Sequence, residues 1–160
     1  TKEYIAKLEL GATTPSFDLE HPIDNRYETC HITQELVEKI LPKFIGEIKQ
    51  TPPIYSAVKI EGKRAYDYAR EGKEITLKEK ILVIDSIEIL HFSLPVLTLR
   101  IVCSKGTYIR ALARDIGLAL GSGAHLTALE RTRIGEITID KCMSIDNFIE
   151  NISLQNKEKV

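Results

Sequence analysis

Apolar and polar residues alternate along parts of the chain, and this alternation predicts β-strands. Residues Glu3–Leu10 follow the pattern, and the apolar members on one face are Tyr4, Ala6, Leu8 and Leu10. Two further β-rich runs, Ile81–Phe92 and Leu97–Cys103, flank a break that contains Pro95. Two such runs around a short break predict a β-hairpin.

Shorter runs predict the remaining strands and one long loop. The β-branched and aromatic residues of Tyr55–Ile60 predict a short strand. Residues His125–Ile139 predict one or two strands that turn near Gly135. Residues Gly11–Asp24 are rich in Thr, Pro, Ser and Asp, which predicts a long irregular loop.

A period near 3.6 residues predicts helices elsewhere in the chain. Thr33 is a candidate N-cap for a helix that Pro42 ends or kinks, with an apolar stripe at Leu36, Val37, Ile40 and Leu41. The strongest pattern covers Thr107–Leu120 and is followed by Gly121, with its apolar stripe at Ile109, Leu112, Ile116 and Leu120. Short helices are predicted at Ala65–Arg70 and Ser144–Ile149.

These elements predict a mixed α+β fold with a mainly antiparallel sheet flanked by helices. The chain has 160 residues, 43% of them hydrophobic and 28% charged, which is a globular composition of one-domain length. No run approaches the ~18 apolar residues of a membrane span. We expect one domain over residues 1–150 and a polar, fraying tail over residues 151–160.

The distribution of charge changes the meaning of the nearly neutral total. The net charge is −1, from 22 basic and 23 acidic residues, which argues against a nucleic-acid-binding protein. However, residues 100–133 hold 6 basic and 2 acidic residues, and residues 51–80 hold 7 and 5. Tyrosines lie among them, at positions 55, 66, 68 and 108. This mixture is typical of RNA-binding surfaces, although a solvated basic face is the simpler interpretation.

Cysteine and histidine usage predicts neither a disulfide framework nor a metal site. The three cysteines form no C-x-x-C pair, and the four histidines are scattered. We therefore expect a reducing, cytoplasmic setting and no metal.

The segment Cys103–Arg110 is the densest candidate for chemistry. It joins a predicted strand to a predicted helix, and Gly106 permits close backbone approach to an anion at the helix start. The alternative is that Ser104 or Thr107 caps the helix and Arg110 forms a surface ion pair.

The Ser56-x-x-Lys59 spacing matches that of serine acyl-transfer enzymes. That chemistry needs the two side chains one helical turn apart. A strand here directs them to opposite faces, so this hypothesis is weak.

Three segments together resemble a known family. They are YIAKLELG at residues 4–11, QTPPIYSAVKIEGKRAYDYAR at residues 50–70, and CSKGTYIRALARDIGLALGSGAHLTALER at residues 103–131. Their order and spacing resemble the TruB family of bacterial tRNA pseudouridine synthases, and the resemblance covers nearly the whole chain. It implies part of the pseudouridine synthase catalytic domain.

The resemblance implies a cofactor-free isomerisation. Members convert the T-loop uridine at tRNA position 55 to pseudouridine by flipping out the base, cleaving its glycosidic bond and rejoining it through carbon. By the same resemblance, Tyr4 stacks on the flipped base, Tyr108 helps to remove the C5 proton, Arg110 pairs with the catalytic aspartate and Leu129 packs against the base. Candidate RNA contacts are Lys59, Lys63, Arg64, Lys105 and Arg131.

The sequence departs from the family at its most important residue. The nucleophilic aspartate of the family lies in a G-x-L-D-P-x-A-x-G type of motif upstream of the first segment, and these 160 residues contain no such motif. Among the aspartates of the chain, Asp18 comes closest to a motif of the family, because the Gly11–Glu20 loop resembles the family's T-x-T-x-D segment.

We therefore expect a catalytic-domain fragment that is inactive alone and also lacks the C-terminal PUA domain of many members. Its partners are expected to be the tRNA T stem-loop and the N-terminal part of the same protein. The alternative is a non-catalytic tRNA-binding module on the same fold.

Overall fold

The computed structural model describes residues 1–56, 59–60, 63–70 and 77–157. Its strands are β1 (Lys2–Leu10), β2 (Ala12–Thr13), β3 (Asn25–Arg26), β4 (Gly46–Gln50), β5 (Lys59–Ile60), β6 (Lys63–Arg64), β7 (Lys80–Ser93), β8 (Val96–Cys103), β9 (Ala124–Ile134) and β10 (Ile137–Thr138). Its helices are α1 (Gln34–Ile40), α2 (Ala65–Arg70), α3 (Ile109–Ala119) and α4 (Ile145–Lys157), with 3-10 turns at Leu41–Phe44 and Ile139–Lys141. None of these helices combines the length and the apolar character needed to cross a membrane.

A six-stranded sheet organises the chain, in the order β10-β9-β1-β8-β7-β4. Every pairing in it is antiparallel, and β2-β3 and β5-β6 form two small additional pairs. The predicted α+β class, with a mainly antiparallel sheet, is therefore confirmed.

One face of the sheet carries the core. Along β8, buried and partly exposed residues alternate, and the buried set is Leu97, Leu99, Ile101 and Cys103. Helix α3 contributes Leu112 and Ile116 to the same core, and α1 contributes Val37 and Ile40. Each such side chain contributes about 1.5–3 kcal/mol of hydrophobic free energy when it is fully buried. Periodicity alone therefore identified the buried stripes of both helices.

The two main helices begin differently. Thr33 caps α1 as predicted, because its hydroxyl accepts the N–H of Leu36 at 3.2 Å. The sequence suggested Ser104 or Thr107 as the cap of helix α3. Neither residue caps it, because the N-cap residue is Tyr108. The Thr107 hydroxyl donates instead to the Ser104 carbonyl, at 3.0 Å.

A bulge in β9 shapes the surface beside α3. Leu126 pairs with Leu8 and Leu129 pairs with Ala6, so the two leucines of β9 are three positions apart whereas their partners in β1 are only two positions apart. The extra residue restores Leu126 and Leu129 to the same face of the sheet, because side chains otherwise alternate with a period of two. Both leucines consequently face the side that α3 covers.

Two predicted elements have wrong boundaries, and one strand was not predicted. The chain bends at Ile54–Ser56, so the strand predicted over Tyr55–Ile60 does not begin at Tyr55; β5 covers its end, and residues 57–58 lie outside the described part. Strand β4 was missed because Ile48 is its only large apolar residue and it lies at the sheet edge. Helix α4 ends at Lys157, whereas the helix predicted there ends at Ile149.

Candidate active site

The loop between β1 and β3 is anchored to the start of β9. The Gly11 N–H donates to the Gly123 carbonyl at 2.8 Å, and the Leu126 N–H donates to the Phe17 carbonyl at 3.0 Å. Gly11 has a φ of +87°, and a side chain there would collide with Thr29, so the turn into this loop requires glycine. These anchors fix Asp18, the residue after Phe17, beside β9.

Four hydrogen bonds then hold Asp18 in one orientation. The Thr14 hydroxyl donates to the Asp18 carbonyl at 2.7 Å and accepts the Asp18 N–H at 3.1 Å. The Asp18 Oδ1 atom accepts the Ser16 hydroxyl at 2.6 Å and the Glu20 N–H at 3.0 Å. Both hydroxyl-bearing residues are buried. The carboxylate is therefore fixed by the loop itself, with Oδ2 left for another partner.

That partner is Arg110, the second residue of α3. Side chains on a helix lean toward its N-terminus, so Arg110 extends back over the preceding loops. Its Nη1 donates to Asp18 Oδ2 at 3.0 Å and to the Ser16 carbonyl at 3.2 Å. Its Nη2 donates to the Tyr55 carbonyl at 2.8 Å. One guanidinium thus joins α3 to two segments that are distant in sequence.

The ion pair is partly shielded from water. The side chains of Arg110 and Asp18 are 22% and 27% exposed. Burial alone raises the pKa of the Asp18 carboxyl, but hydrogen bonds from Ser16 and Glu20, together with the charge of Arg110, lower the pKa to below its ordinary value of 3.8. Asp18 is therefore ionised at neutral pH.

A cavity of about 420 Å³ opens directly beside this pair. The residues that line it are Asp18, Leu19, Glu20, Arg110, Leu126, Thr127, Ala128 and Leu129. The ion pair forms a polar end, and the two leucines brought together by the β9 bulge form an apolar wall. Leu129 remains 47% exposed, so its side chain is available to a ligand. Ligand sites typically combine an apolar wall with a few fixed polar groups in this way.

The predicted tyrosines lie near this cavity in the fold but are not among its lining residues. Tyr4 lies in β1 between Arg131 of β9 and Ile101 of β8, on the face that carries the core. Tyr108 is fixed by its backbone: its N–H donates to Gln50 Oε1 at 2.9 Å, and its carbonyl accepts Gln50 Nε2 at 3.2 Å. Gln50 is 1% exposed, so this contact rigidly attaches the start of α3 to β4.

The predicted basic residues are spread over two regions. Lys105 lies in the exposed turn between β8 and α3, and Arg131 is exposed on β9. Lys59, Lys63 and Arg64 belong to the β5-β6 pair, and their side chains lie outside the described part of the structure.

The geometry gives no support to serine acyl transfer. Ser56 is 3% exposed, and its hydroxyl has no hydrogen-bond partner among the described residues, so none of them acts as its base. Among the described residues there is also no cluster of His, Cys, Asp and Glu that could hold a metal ion.

Sequence reasoning missed most contacts of this site. Asp18 was noted only for its place in a T-x-T-x-D-like loop, Tyr55 only among the tyrosines of the basic regions, and Ser16 and Gln50 were given no site role. The signal for Asp18 was that loop motif, whereas the polar contacts of the other residues form only in the folded chain.

Family models match the whole of this region. The TruB family pseudouridylate synthase N-terminal domain matches residues 1–109, and the tRNA pseudouridylate synthase B C-terminal domain matches residues 110–159. The Asp18–Arg110 pair therefore connects the two matched regions.

Curated relatives carry the corresponding name. The chain is 64% identical to tRNA pseudouridine synthase B of Parabacteroides distasonis, over 99% of this chain and 69% of that protein. It is 61% identical to tRNA pseudouridine synthase B of Phocaeicola vulgatus, over 100% of this chain and 68% of that protein. The chain thus spans about two thirds of the length of these relatives.

A solved structure shows the same fold. A chain from a Cbf5-Nop10-Gar1 complex superimposes with a TM-score of 0.71 at 26% identity, over 99% of this chain and 38% of the solved chain. The family predicted from the three sequence segments and the predicted fold class are both confirmed.

The lowered pKa of Asp18 predicts a pH-dependent contribution to stability. A depressed folded-state pKa stabilises the protein above the unfolded value, and this stabilisation is lost as the pH falls through the folded value. We expect Asp18→Asn to lower the free energy of unfolding by about 1–2 kcal/mol at pH 7, with the deficit shrinking below about pH 4.

Urea denaturation of both proteins between pH 7 and pH 3 measures this difference. Asp140→Asn, which alters an exposed aspartate of the second 3-10 turn, is the control and should match the wild type. A deficit for Asp18→Asn that stays constant down to pH 3 would contradict the assignment.

Proposed function

We propose, because this chain belongs to the TruB family of pseudouridylate synthases, that it carries part of the active site of an enzyme that isomerises uridine in tRNA. The substrate nucleotide is the uridine at position 55 in the T-loop. The base is flipped out of the loop, detached from C1′, rotated and rejoined to C1′ through C5. The reaction loses the C5 proton and needs no cofactor.

The observation that carries this proposal is the convergence of Arg110 and Leu129 on one cavity. The family resemblance gave these residues separate roles, one on a catalytic carboxylate and one on the base. They come from different elements, α3 and β9, and the β9 bulge together with the Asp18 loop brings them to the same space. A flipped pyrimidine needs both an apolar surface and fixed polar groups.

Arg110 has donors to spare for a second carboxylate. Its described contacts use three of its five N–H groups, on Asp18, Ser16 and Tyr55. The remaining groups can orient a nucleophilic aspartate and keep it ionised, because a fixed guanidinium favours the charged form. No aspartate in these 160 residues lies in the family's nucleophile motif, so this aspartate belongs to a part of the protein outside them.

The other roles are those that the family resemblance implies. Leu129 packs against the base. Tyr4 stacks on the base, and it lies in β1 two positions before Ala6, the partner of Leu129, on the same face of the sheet. Tyr108, at the start of α3, assists removal of the C5 proton. Lys105 and Arg131 contact the RNA backbone, together with Lys59, Lys63 and Arg64 of the β5-β6 pair.

A second candidate function is a non-catalytic tRNA-binding module. The observation that favours it is the excess of basic residues in residues 100–133, which hold 6 basic and 2 acidic residues. The same basic residues would then bind the T-arm without any chemistry.

Tritium release from a T-arm stem-loop labelled at uridine C5 tests the reaction, because the C5 proton is lost on isomerisation. We expect no release by the 160-residue chain, and release by a longer protein that carries the aspartate motif ahead of Thr1. Turnover by the 160-residue chain alone would contradict the placement of the nucleophile. A longer protein that binds the stem-loop but releases no tritium would support the non-catalytic module.

Removal of the guanidinium should affect chemistry rather than binding. In the longer protein, Arg110→Ala is expected to reduce kcat at least about 100-fold while the Kd for the stem-loop changes less than about threefold, since Arg110 serves a carboxylate and not a phosphate. The matched control is Arg114→Ala, which removes an arginine that lies one turn further along α3 and is paired with Asp115. This variant should retain turnover. Parallel losses of kcat and affinity in Arg110→Ala would refute its assigned role.

A further inference from the structure

A histidine continues the hydrogen-bond network behind Asp18. The Ser16 hydroxyl is fully buried and lies 2.6 Å from Asp18 Oδ1 and 3.0 Å from His21 Nδ1. A hydroxyl has one proton, and an ionised carboxylate can only accept. Ser16 therefore donates to Asp18 and must accept an N–H from His21, which places the imidazole proton on Nδ1. The sequence of donation runs from His21 through Ser16 to the carboxylate.

The imidazole ring makes a second contact, with the ring of Tyr55. The rings of His21 and Tyr55 lie 4.5 Å apart between centroids, tilted by 49°. The Tyr55 carbonyl is the acceptor of Arg110 Nη2. His21 thus contacts Ser16, which binds Asp18, and the ring of Tyr55, whose carbonyl binds Arg110.

We propose that His21 is a positioning residue of this site: its Nδ1–H fixes the Ser16 hydroxyl on Asp18, and its ring holds the Tyr55 segment, so that Arg110 keeps one orientation at the cavity. This role rests on the proposed function, because it concerns the same arginine. His21 does not line the cavity and acts only through its neighbours. Sites work best when such supporting contacts leave their charged groups a single geometry.

The donor is the more important of the two contacts. Without it, the Ser16 oxygen loses one of its two hydrogen-bond partners, and the buried hydroxyl is no longer held in a single position against Asp18 Oδ1. Asp18 then keeps its bond to the Glu20 N–H but loses the short bond that fixes its plane. Because Oδ2 binds Arg110, rotation of the carboxylate moves the guanidinium.

Two substitutions separate the donor from the ring. His21→Asn keeps an N–H donor close to the position of Nδ1 and removes the ring, whereas His21→Phe keeps a ring and removes the donor. His91→Phe, at an exposed histidine of β7, is the control. Each is made in the longer protein with the aspartate motif, and kcat, stem-loop Kd and Tm are measured. Ser16→Ala removes the relaying hydroxyl and tests the same link if His21→Phe does not fold.

We expect kcat to fall about tenfold in His21→Phe and in Ser16→Ala, with Kd unchanged within about twofold. His21→Asn should retain kcat within about threefold of the wild type, and His91→Phe should equal the wild type. Unchanged kcat in His21→Phe would overturn the proposal. Equal losses in His21→Asn and His21→Phe would overturn the assignment of the donor.

A second readout does not depend on activity. The Ser16 hydrogen bond lowers the pKa of Asp18, so the carboxyl titration followed by carbon NMR in the 160-residue chain should shift upward in His21→Phe and not in His21→Asn. The shift supports the positioning role even if the wild-type longer protein fails to isomerise uridine, an outcome that would refute the proposed function alone. An unshifted titration in His21→Phe would overturn the inference whatever the activity.

Discussion

The ion pair between Arg110 and Asp18 is the contact on which the arrangement of the site depends. It joins the start of α3 to a loop 92 residues earlier in the chain, and the same guanidinium also binds the Tyr55 carbonyl. Both charges are partly shielded from water, and a shielded charge without its partner is costly. The loop, the helix start and the Tyr55 segment must therefore adopt positions that satisfy this one arginine together.

The scaffold around the pair explains why the site is rigid. Gln50 fixes both backbone groups of Tyr108, so α3 begins at a defined place relative to β4. The bond from the Leu126 N–H to the Phe17 carbonyl fixes the loop to β9. The β9 bulge then supplies the apolar wall of the cavity opposite the charges. Polar orientation and apolar packing are thus provided by separate elements, which suits the binding of a flipped base.

Sequence reasoning predicted the elements whose burial is periodic and failed where it is not. The apolar stripe of α3 and the β-rich run of β8 follow directly from one buried face, and both elements were predicted. Strand β4 has a single large apolar residue, so its pattern carried no signal. The resemblance pointed to Arg110 and Leu129, and the T-x-T-x-D-like motif marked Asp18, but the contact between Asp18 and Arg110 forms only in the folded chain. The roles given to Tyr4 and Tyr108 remain predictions.

A double-mutant cycle between Asp18 and Arg110 tests this account most directly, with turnover of a T-arm stem-loop measured for Asp18→Asn, Arg110→Gln and the double variant of the longer protein. If Asp18 acts by holding Arg110, the double variant should be no slower than Arg110→Gln alone, within about threefold, corresponding to a coupling energy of about 1–3 kcal/mol. Losses that multiply, as they do for independent residues, would contradict the claim that the site depends on this pair.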